Sequence, residues 1–398
     1  MDAVFTAVSA VSLTGLLVVS MTEHWSLFGQ LVIMILIQIG GIGFMTITTM
    51  LFLFFGKKLS LRDRLVIMKE LNYNRLSDVV QLSRYIITLT FFTELIGAGL
   101  LFVLFKNFMP FYQALFYSIF HSVSAFNNAG FSLFSDSLEG FAFSPFLLFT
   151  IVSLFLVGGL GFIVINEVYE KRKFKKLSLH SKLVISINIF LIIGGSLAIF
   201  LLEYNNPTTL GDLNLSGKIL ASIFHGVTTR SAGFSIIPIR NFRDGTLFIM
   251  TILIFIGASP GSTGSGVKTT TVGTLILLVY NMALGKRNIE VFNRRLRKDD
   301  IFEALTVVII SLVIIVFLII VLSLLEDFPF FRLIFEVFSA FGTAGLTTGV
   351  TANLTLAGRV LIIFTMFIGR IGPFTLALAL GRRYHESIGY PEEDILIG

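Results

Sequence analysis

Four twelve-residue segments share one pattern: FTAVSAVSLTGL (5–16), FHSVSAFNNAGF (120–131), IFHGVTTRSAGF (223–234) and FEVFSAFGTAGL (335–346). Aligned without gaps, they bring Gly15, Gly130, Gly233 and Gly345 into register, each after a small residue: Thr14, Ala129, Ala232 and Ala344. Ala10, Ala125, Thr228 and Ala340 stand five positions before the glycine, and Phe5, Phe120, Ile223 and Phe335 ten before it. Each segment is a short apolar stretch, too brief to cross a bilayer, that runs into a turn. Glycine takes positive φ without steric cost and lets the backbone approach a ligand closely. Four such turns about one axis would offer a ring of carbonyl oxygens able to replace a cation's hydration shell. The helices leading into them would add the partial negative charge of their C-termini. A helix-capping glycine in an interfacial loop accounts for one copy; it accounts poorly for four in register.

A second glycine-marked feature follows each turn, inside the next apolar run: GGIGF (40–44), GGLGF (158–162), GASPGSTGSG (257–266) and GRIGPF (369–374). The repeating unit is therefore a span, a re-entrant helix, a glycine turn and a second span. Irregular backbone at membrane depth is tolerated only where it is buried in protein or lines a water-filled path. The third copy departs from the rest. Residues 257–271 carry Gly257, Pro260, Gly261, Gly264 and Gly266 among many Ser and Thr, a composition no stable helix sustains. The stretch is a poor phosphate-binding loop, because Val267 stands where that motif needs its lysine, Lys268 comes one position late, and no strand precedes it.

The elements that must position these turns follow from composition. Of 398 residues, 55% are hydrophobic and 14% charged, with a mean hydropathy of +0.89. Soluble domains carry about 25% charged residues. Apolar runs at 27–55, 82–105, 144–168, 182–202, 246–283 (interrupted), 302–325 and 357–381 predict seven spans. Lys and Arg cluster at 56–84, 171–182, 286–298 and 382–383, which together hold 21 of the 30 basic residues. The clusters fall at every second connection, so they mark the cytoplasmic side. Segments 106–143, 203–245 and 326–356 face outward, and the net charge of +6 is explained by topology without nucleic acid. With no Cys and five scattered His, thiol chemistry and a metal-ligand cluster are excluded. No Ser/His/Asp set or paired carboxylates support an enzyme.

SAFNNAGFSLF, VTTRSAGF and SAFGTAGL, together with FIGASPGSTGSGVKTTT and MFIGRIGPFT, resemble the Ktr/Trk/HKT superfamily of potassium transporters, nearest its bacterial (KtrB-like) Ktr membrane subunits, over essentially the whole chain. The resemblance implies an all-α integral membrane protein with four pseudo-repeats around one pore: 1–55, 82–168, 182–283 with a broken second span, and 302–381, followed by a tail at 382–398. It implies a potassium filter formed by Leu13, Thr14 and Gly15; Asn128, Ala129 and Gly130; Ser231, Ala232 and Gly233; and Thr343, Ala344 and Gly345. The presence of all four glycines goes with potassium over sodium. It further implies a gate made of Gly257, Ala258, Ser259, Pro260, Gly261, Ser262, Thr263, Gly264, Ser265, Gly266 and Lys268, with Arg370 of the last span narrowing the path. Its other implications are a homodimer in the bacterial cell membrane, a cytoplasmic C-terminus and a separate (KtrA-like) regulatory ring that binds ATP or ADP. K+ is the one metal ion, Na+ is admitted as an activator, and the basic loops and YPEEDILIG (390–398) are docking surfaces. The family's first repeat has a span before its turn. The natural protein is therefore expected to extend upstream by one helix, roughly 30–50 residues.

Three polar features complete the reading. Arg230, three residues before Gly233, is expected to turn away from the axis toward a carboxylate, with Glu336 a candidate. Glu94 is expected to make an interhelical hydrogen bond, and His121 and His225 to be packed structural residues. A carrier that alternates access, with its site in the broken span, is the competing function. Such carriers usually show two inverted repeats, whereas these four units begin on the same side.

Overall fold

The computed structural model describes residues 1–43, 79–286 and 288–372. The basic segment 56–78, the span ends expected over 44–55 and 373–381, and the tail 382–398 lie outside the described residues. Among the described residues the helices are α1 (Asp2–Ser12), α2 (Met21–His24), α3 (Leu27–Ile42), α4 (Val79–Phe105), α5 (Phe111–Phe126), α6 (Pro145–Leu160), α7 (Phe162–Lys171), α8 (Leu179–Glu203), α9 (Leu215–Thr228), α10 (Asp244–Phe255), α11 (Thr269–Ala283), α12 (Lys298–Leu325), α13 (Phe330–Phe341) and α14 (Leu356–Ile371). A two-residue hairpin, β1 (Glu290–Val291) and β2 (Arg294–Arg295), turns through Phe292 and Asn293, both at positive φ.

Within α4, α8 and α12, the stretches Gln81–Phe105, Leu179–Glu203 and Lys298–Leu325 are long and apolar enough to cross a membrane. At 1.5 Å per residue, 25 residues reach about 37 Å, beyond the roughly 30 Å of a hydrocarbon core. Phe92, Phe190 and Phe317 on these helices are exposed. That outward apolar surface suits lipid, which is as apolar as the side chains themselves. The chain is membrane-embedded.

Two expected spans are interrupted. The run 246–283 divides into α10 and α11, as its Gly/Pro content requires. The run 144–168, expected as one span, bends by 95° between α6 and α7. Gly161 makes the bend with φ 95° and ψ 129°, a conformation that L side chains avoid.

The short helices α1, α5, α9 and α13 are seated against their neighbours by small residues. A Cβ added to Gly97 of α4 would stand 2.5 Å from the Ser122 hydroxyl of α5. One on Gly226 of α9 would stand 2.8 Å from the Ser196 amide of α8. Buried carboxylates join the ends of long helices to the helix after next: Glu203 accepts from the Arg243 amide (3.0 Å) and the Thr246 hydroxyl at the start of α10. Glu326 accepts from the Thr355 amide (2.9 Å) and hydroxyl (2.6 Å) at the start of α14. Each carboxylate thereby satisfies N-terminal donors that would otherwise be orphaned. The two described basic connections lie together, with Phe174 packed edge-on to Phe292 at 5.9 Å and the Lys182 ammonium 5.9 Å from the same ring.

Candidate functional site

Helices α1, α5, α9 and α13 end in turns of closely similar backbone. Leu13, Asn128, Ser231 and Thr343 take the left-handed conformation, with φ of 58°, 55°, 60° and 47°. Two positions on, Gly15, Gly130, Gly233 and Gly345 have φ of 83°, 71°, 79° and 73°. In three turns the amides of Thr14, Ala129 and Ala344 donate to Ser9, Ser124 and Ser339 carbonyls at 2.8 Å each. Leu13, Asn128 and Thr343 donate to Ala10, Ala125 and Ala340 at 3.2, 3.1 and 3.2 Å. This bond pair is the Schellman closure of a helix, which usually places glycine at the left-handed position. Here non-glycine residues fill that position, at a cost of about 1–2 kcal/mol each for Leu13 and Thr343 and less for Asn128, and the glycine comes later. At the third turn the bonds differ: Ala232 donates to Thr228 (3.0 Å) and Arg230 to Val227 (3.0 Å).

The glycines are required by close approach. A Cβ on Gly15 would stand 2.5 Å from the Ala129 carbonyl oxygen, and one on Gly130 would stand 3.1 Å from that of Ala232. One on Gly233 would stand 3.0 Å from the Ala344 oxygen, and one on Gly345 would collide with the Thr14 oxygen. The contacts close on themselves, so the turns form a ring in the order 15, 130, 233, 345. Four neutral backbone oxygens gathered in a ring are hard ligands of the kind an alkali cation accepts without its water.

Against the ring lies the segment between α10 and α11. A Cβ on Gly264 would stand 3.5 Å from both the Asn128 side-chain amide and the Ser231 Cβ. The segment folds on itself through Gly257 N–H to Val267 O and Ala258 N–H to Ser265 O, both 3.0 Å. Lys268 Nζ reaches back to Gly264 O at 2.8 Å. It is tied to α6 and α7 by Ser259 N–H to Gly159 O (3.2 Å), Thr263 N–H to Gly158 O (3.1 Å) and Phe162 N–H to Gly261 O (2.8 Å). Arg370 of α14 donates to Thr263 O (2.6 Å), to the Ser265 hydroxyl (2.9 Å) and to Gly40 O of α3. One guanidinium therefore joins the segment to two helices.

Arg230 does not meet Glu336. Its guanidinium donates to Asn188 Oδ1 of α8 and to Gly257 O at 3.3 Å, and Asn188 Nδ2 continues to the Ser259 hydroxyl at 3.0 Å. Glu336 is fully buried and already accepts from Thr347, Thr348 and Thr351. The expectation failed because amide and carbonyl oxygens, with no carboxylate, take the donors of both terminal guanidinium nitrogens, while Nε stays buried without a partner. Asn188 is one of a few polar residues in an apolar span, and nothing in the pattern links it to Arg230.

Glu94 makes the expected interhelical bonds, from Gln38 Nε2 of α3 (3.1 Å) and Asn127 Nδ2 (2.9 Å). His225 packs edge-on to Phe242 with ring centres 4.9 Å apart. His121 packs among Phe105, Tyr117 and Phe134.

Apolar spanning helices gathered around a ring of backbone oxygens define an integral membrane protein of the transport class. The chain belongs to the TrkH family of cation transport proteins, whose family model matches residues 1–387. The Ktr system potassium uptake protein B of Bacillus subtilis is 41% identical over 397 residues, taking in all of this chain and 89% of that protein. The potassium/sodium uptake protein NtpJ of Enterococcus hirae is 39% identical over 404 residues, with all of this chain and 89% of that one covered. The crystal structure of the potassium transporter TrkH from Vibrio parahaemolyticus superposes with a TM-score of 0.75 over 96% of this chain and 78% of that one. At 17% identity it speaks for the fold alone.

Proposed function

We propose that this protein takes up potassium across the bacterial cell membrane through a four-turn selectivity filter. The observation that supports it is the closed ring in which the Thr14, Ala129, Ala232 and Ala344 oxygens each stand against the glycine of a neighbouring turn. Filter residues are Leu13, Thr14 and Gly15 with their three counterpart sets, and four C-terminal helix ends add a field favourable to a cation. The segment 257–268, held by Arg370, is the gate, and its release opens the path. A cytoplasmic nucleotide-binding partner would drive that release, acting on a homodimer whose C-termini face the cytoplasm. The names of the Bacillus and Enterococcus relatives support potassium as cargo.

An alternating-access cation symporter is favoured by one feature, the break between α10 and α11, since discontinuous helices often form carrier sites. Tracer flux into liposomes holding the purified protein separates the two, because carrier turnover is far slower than flow through a pore. Complementation of a potassium-uptake-deficient strain tests the function itself. Gly130→Ser, which adds a side chain at φ 71° and 2.7 Å from Gly233 Cα, is expected to lower the potassium-to-sodium flux ratio about tenfold, or 1.4 kcal/mol. A native protein that fails to complement, or a Gly130→Ser protein with native selectivity, defeats the proposal.

A further inference from the structure

Nine positions before the closing glycine, the four short helices carry Thr6, His121, Phe224 and Glu336. Different as they are, His121 and Glu336 do the same thing. The amide of Leu133, three residues past Gly130, donates to His121 Nε2 at 3.3 Å. The amide of Thr348, three residues past Gly345, donates to Glu336 Oε1 at 2.8 Å. The hydroxyl one residue earlier joins each pair: Ser132 Oγ lies 3.1 Å from His121 Nε2, and Thr347 donates to Glu336 at 2.7 Å. His121 Nδ1 lies 2.8 Å from Tyr117 O, which only accepts, so Nδ1 carries the proton and Nε2 is the free acceptor. Glu336 takes two further hydroxyls, Thr348 at 3.1 Å and Thr351 at 2.5 Å. Both residues are fully buried.

The other two turns lack the device. Phe224 has no acceptor, and the buried Thr6 hydroxyl makes no hydrogen bond. The ring order 15, 130, 233, 345 puts the two clasped turns diagonally across from each other. Pinning the third amide beyond the glycine fixes the course of the chain as it leaves the ring, and with it the direction of the last carbonyls. A ring that cannot contract discriminates against the smaller of two alkali cations.

We propose that His121 and Glu336 are positioning residues that brace two diagonal quarters of the ring and so set its preference for potassium over sodium; this rests on the filter reading above. The assay is the ratio of rubidium to sodium tracer flux in liposomes holding the full-length protein. Glu336→Gln and His121→Gln keep an acceptor at the clasp and are expected to hold the ratio within about twofold of native. Glu336→Leu and His121→Leu remove it and are expected to lower the ratio about fivefold each. Leu variants with native ratios overturn the inference, as do Gln variants that fall as far as their Leu counterparts. Where a Leu variant fails to elute as folded protein, Ser132→Ala and Thr347→Val decide instead; each takes one donor from the loop side and is expected to cost about twofold. Native ratios in both overturn the inference equally. Gly130→Ser, run alongside, separates the levels: if it leaves the ratio unchanged, the filter reading itself fails, and if it alone moves the ratio, only the clasp does.

Discussion

The helices α3, α6 and α14, which follow the turns at 15, 130 and 345, meet their turns in one way, and the span after the turn at 233 in another. In α3, α6 and α14 a glycine lies flat against the helix that ends at the turn: Gly40 on Val11 O, Gly158 on Phe126 O and Gly369 on Phe341 O. Each of those carbonyls comes four residues before the turn's glycine. Three residues after each contact glycine stands another, Gly43, Gly161 and Gly372, with φ of 86°, 95° and 89°. In the third case the contact glycine is Gly257, and three residues on comes Pro260. Proline holds φ near −65°, so it cannot take the positive-φ bend. Gly257 accordingly faces Ser265 O of its own segment instead of a helix end. At one of four equivalent positions proline stands in place of glycine, and there the span gives way to a folded-back segment under the ring.

The largest expected effect of breaking this pattern is at Gly158. Its added methyl has nowhere to go between Phe126 O and the Thr263 hydroxyl, and overpacking against rigid backbone costs about 3 kcal/mol or more. Gly158→Ala should lower the melting temperature in detergent sharply or leave no folded protein. Gly257→Ala, whose clash is with the segment itself, should melt close to native while altering flux. If the two substitutions melted alike, the distinction between a packed helix contact and a self-contained segment would be lost.

Next in size is Arg370→Ala. The change removes donors to Thr263 O, Ser265 and Gly40 O, and charge-assisted hydrogen bonds contribute about 1.5–3 kcal/mol each. Flux into liposomes without any cytoplasmic partner should rise by about an order of magnitude. Flux and regulation both equal to native would sink the gate.

The glycine pattern was open to sequence reading because close backbone approach restricts the residue type to one letter. For the same reason the broken stretch 257–268 stood out. The residues that take left-handed φ before each glycine, Leu13, Asn128, Ser231 and Thr343, carry no such mark, because surrounding packing imposes the conformation on four unlike side chains. His121 and Glu336 are hidden likewise: they share an acceptor and a position, and nothing else. The bend at Gly161 was hidden by its surroundings, since apolar residues continue on both sides and hydropathy registers no change of direction. Arg230 was misassigned because charge suggests charge, whereas the partners it found, Asn188 Oδ1 and Gly257 O, are oxygens that pattern cannot rank.

The most direct way to sharpen the comparison is Pro260→Gly, which gives the third span the glycine that the other three have. Two effects oppose each other. Removing the ring frees φ at residue 260 and adds conformational entropy to the released segment, about 0.4–1 kcal/mol in favour of opening. The bonds that fix the segment, from Arg370, from its own Thr263 and Ser259 amides to the Gly158 and Gly159 carbonyls and from Arg230 to Gly257 O, are all untouched. They outweigh the entropy gained, so the segment should stay in place most of the time and unpartnered flux should rise only about two- to fivefold. Combined with Arg370→Ala the substitution should act more strongly, because the restraint that masks it is gone. A Pro260→Gly protein with native flux in both backgrounds would mean that proline is tolerated at 260 and does not shape the segment.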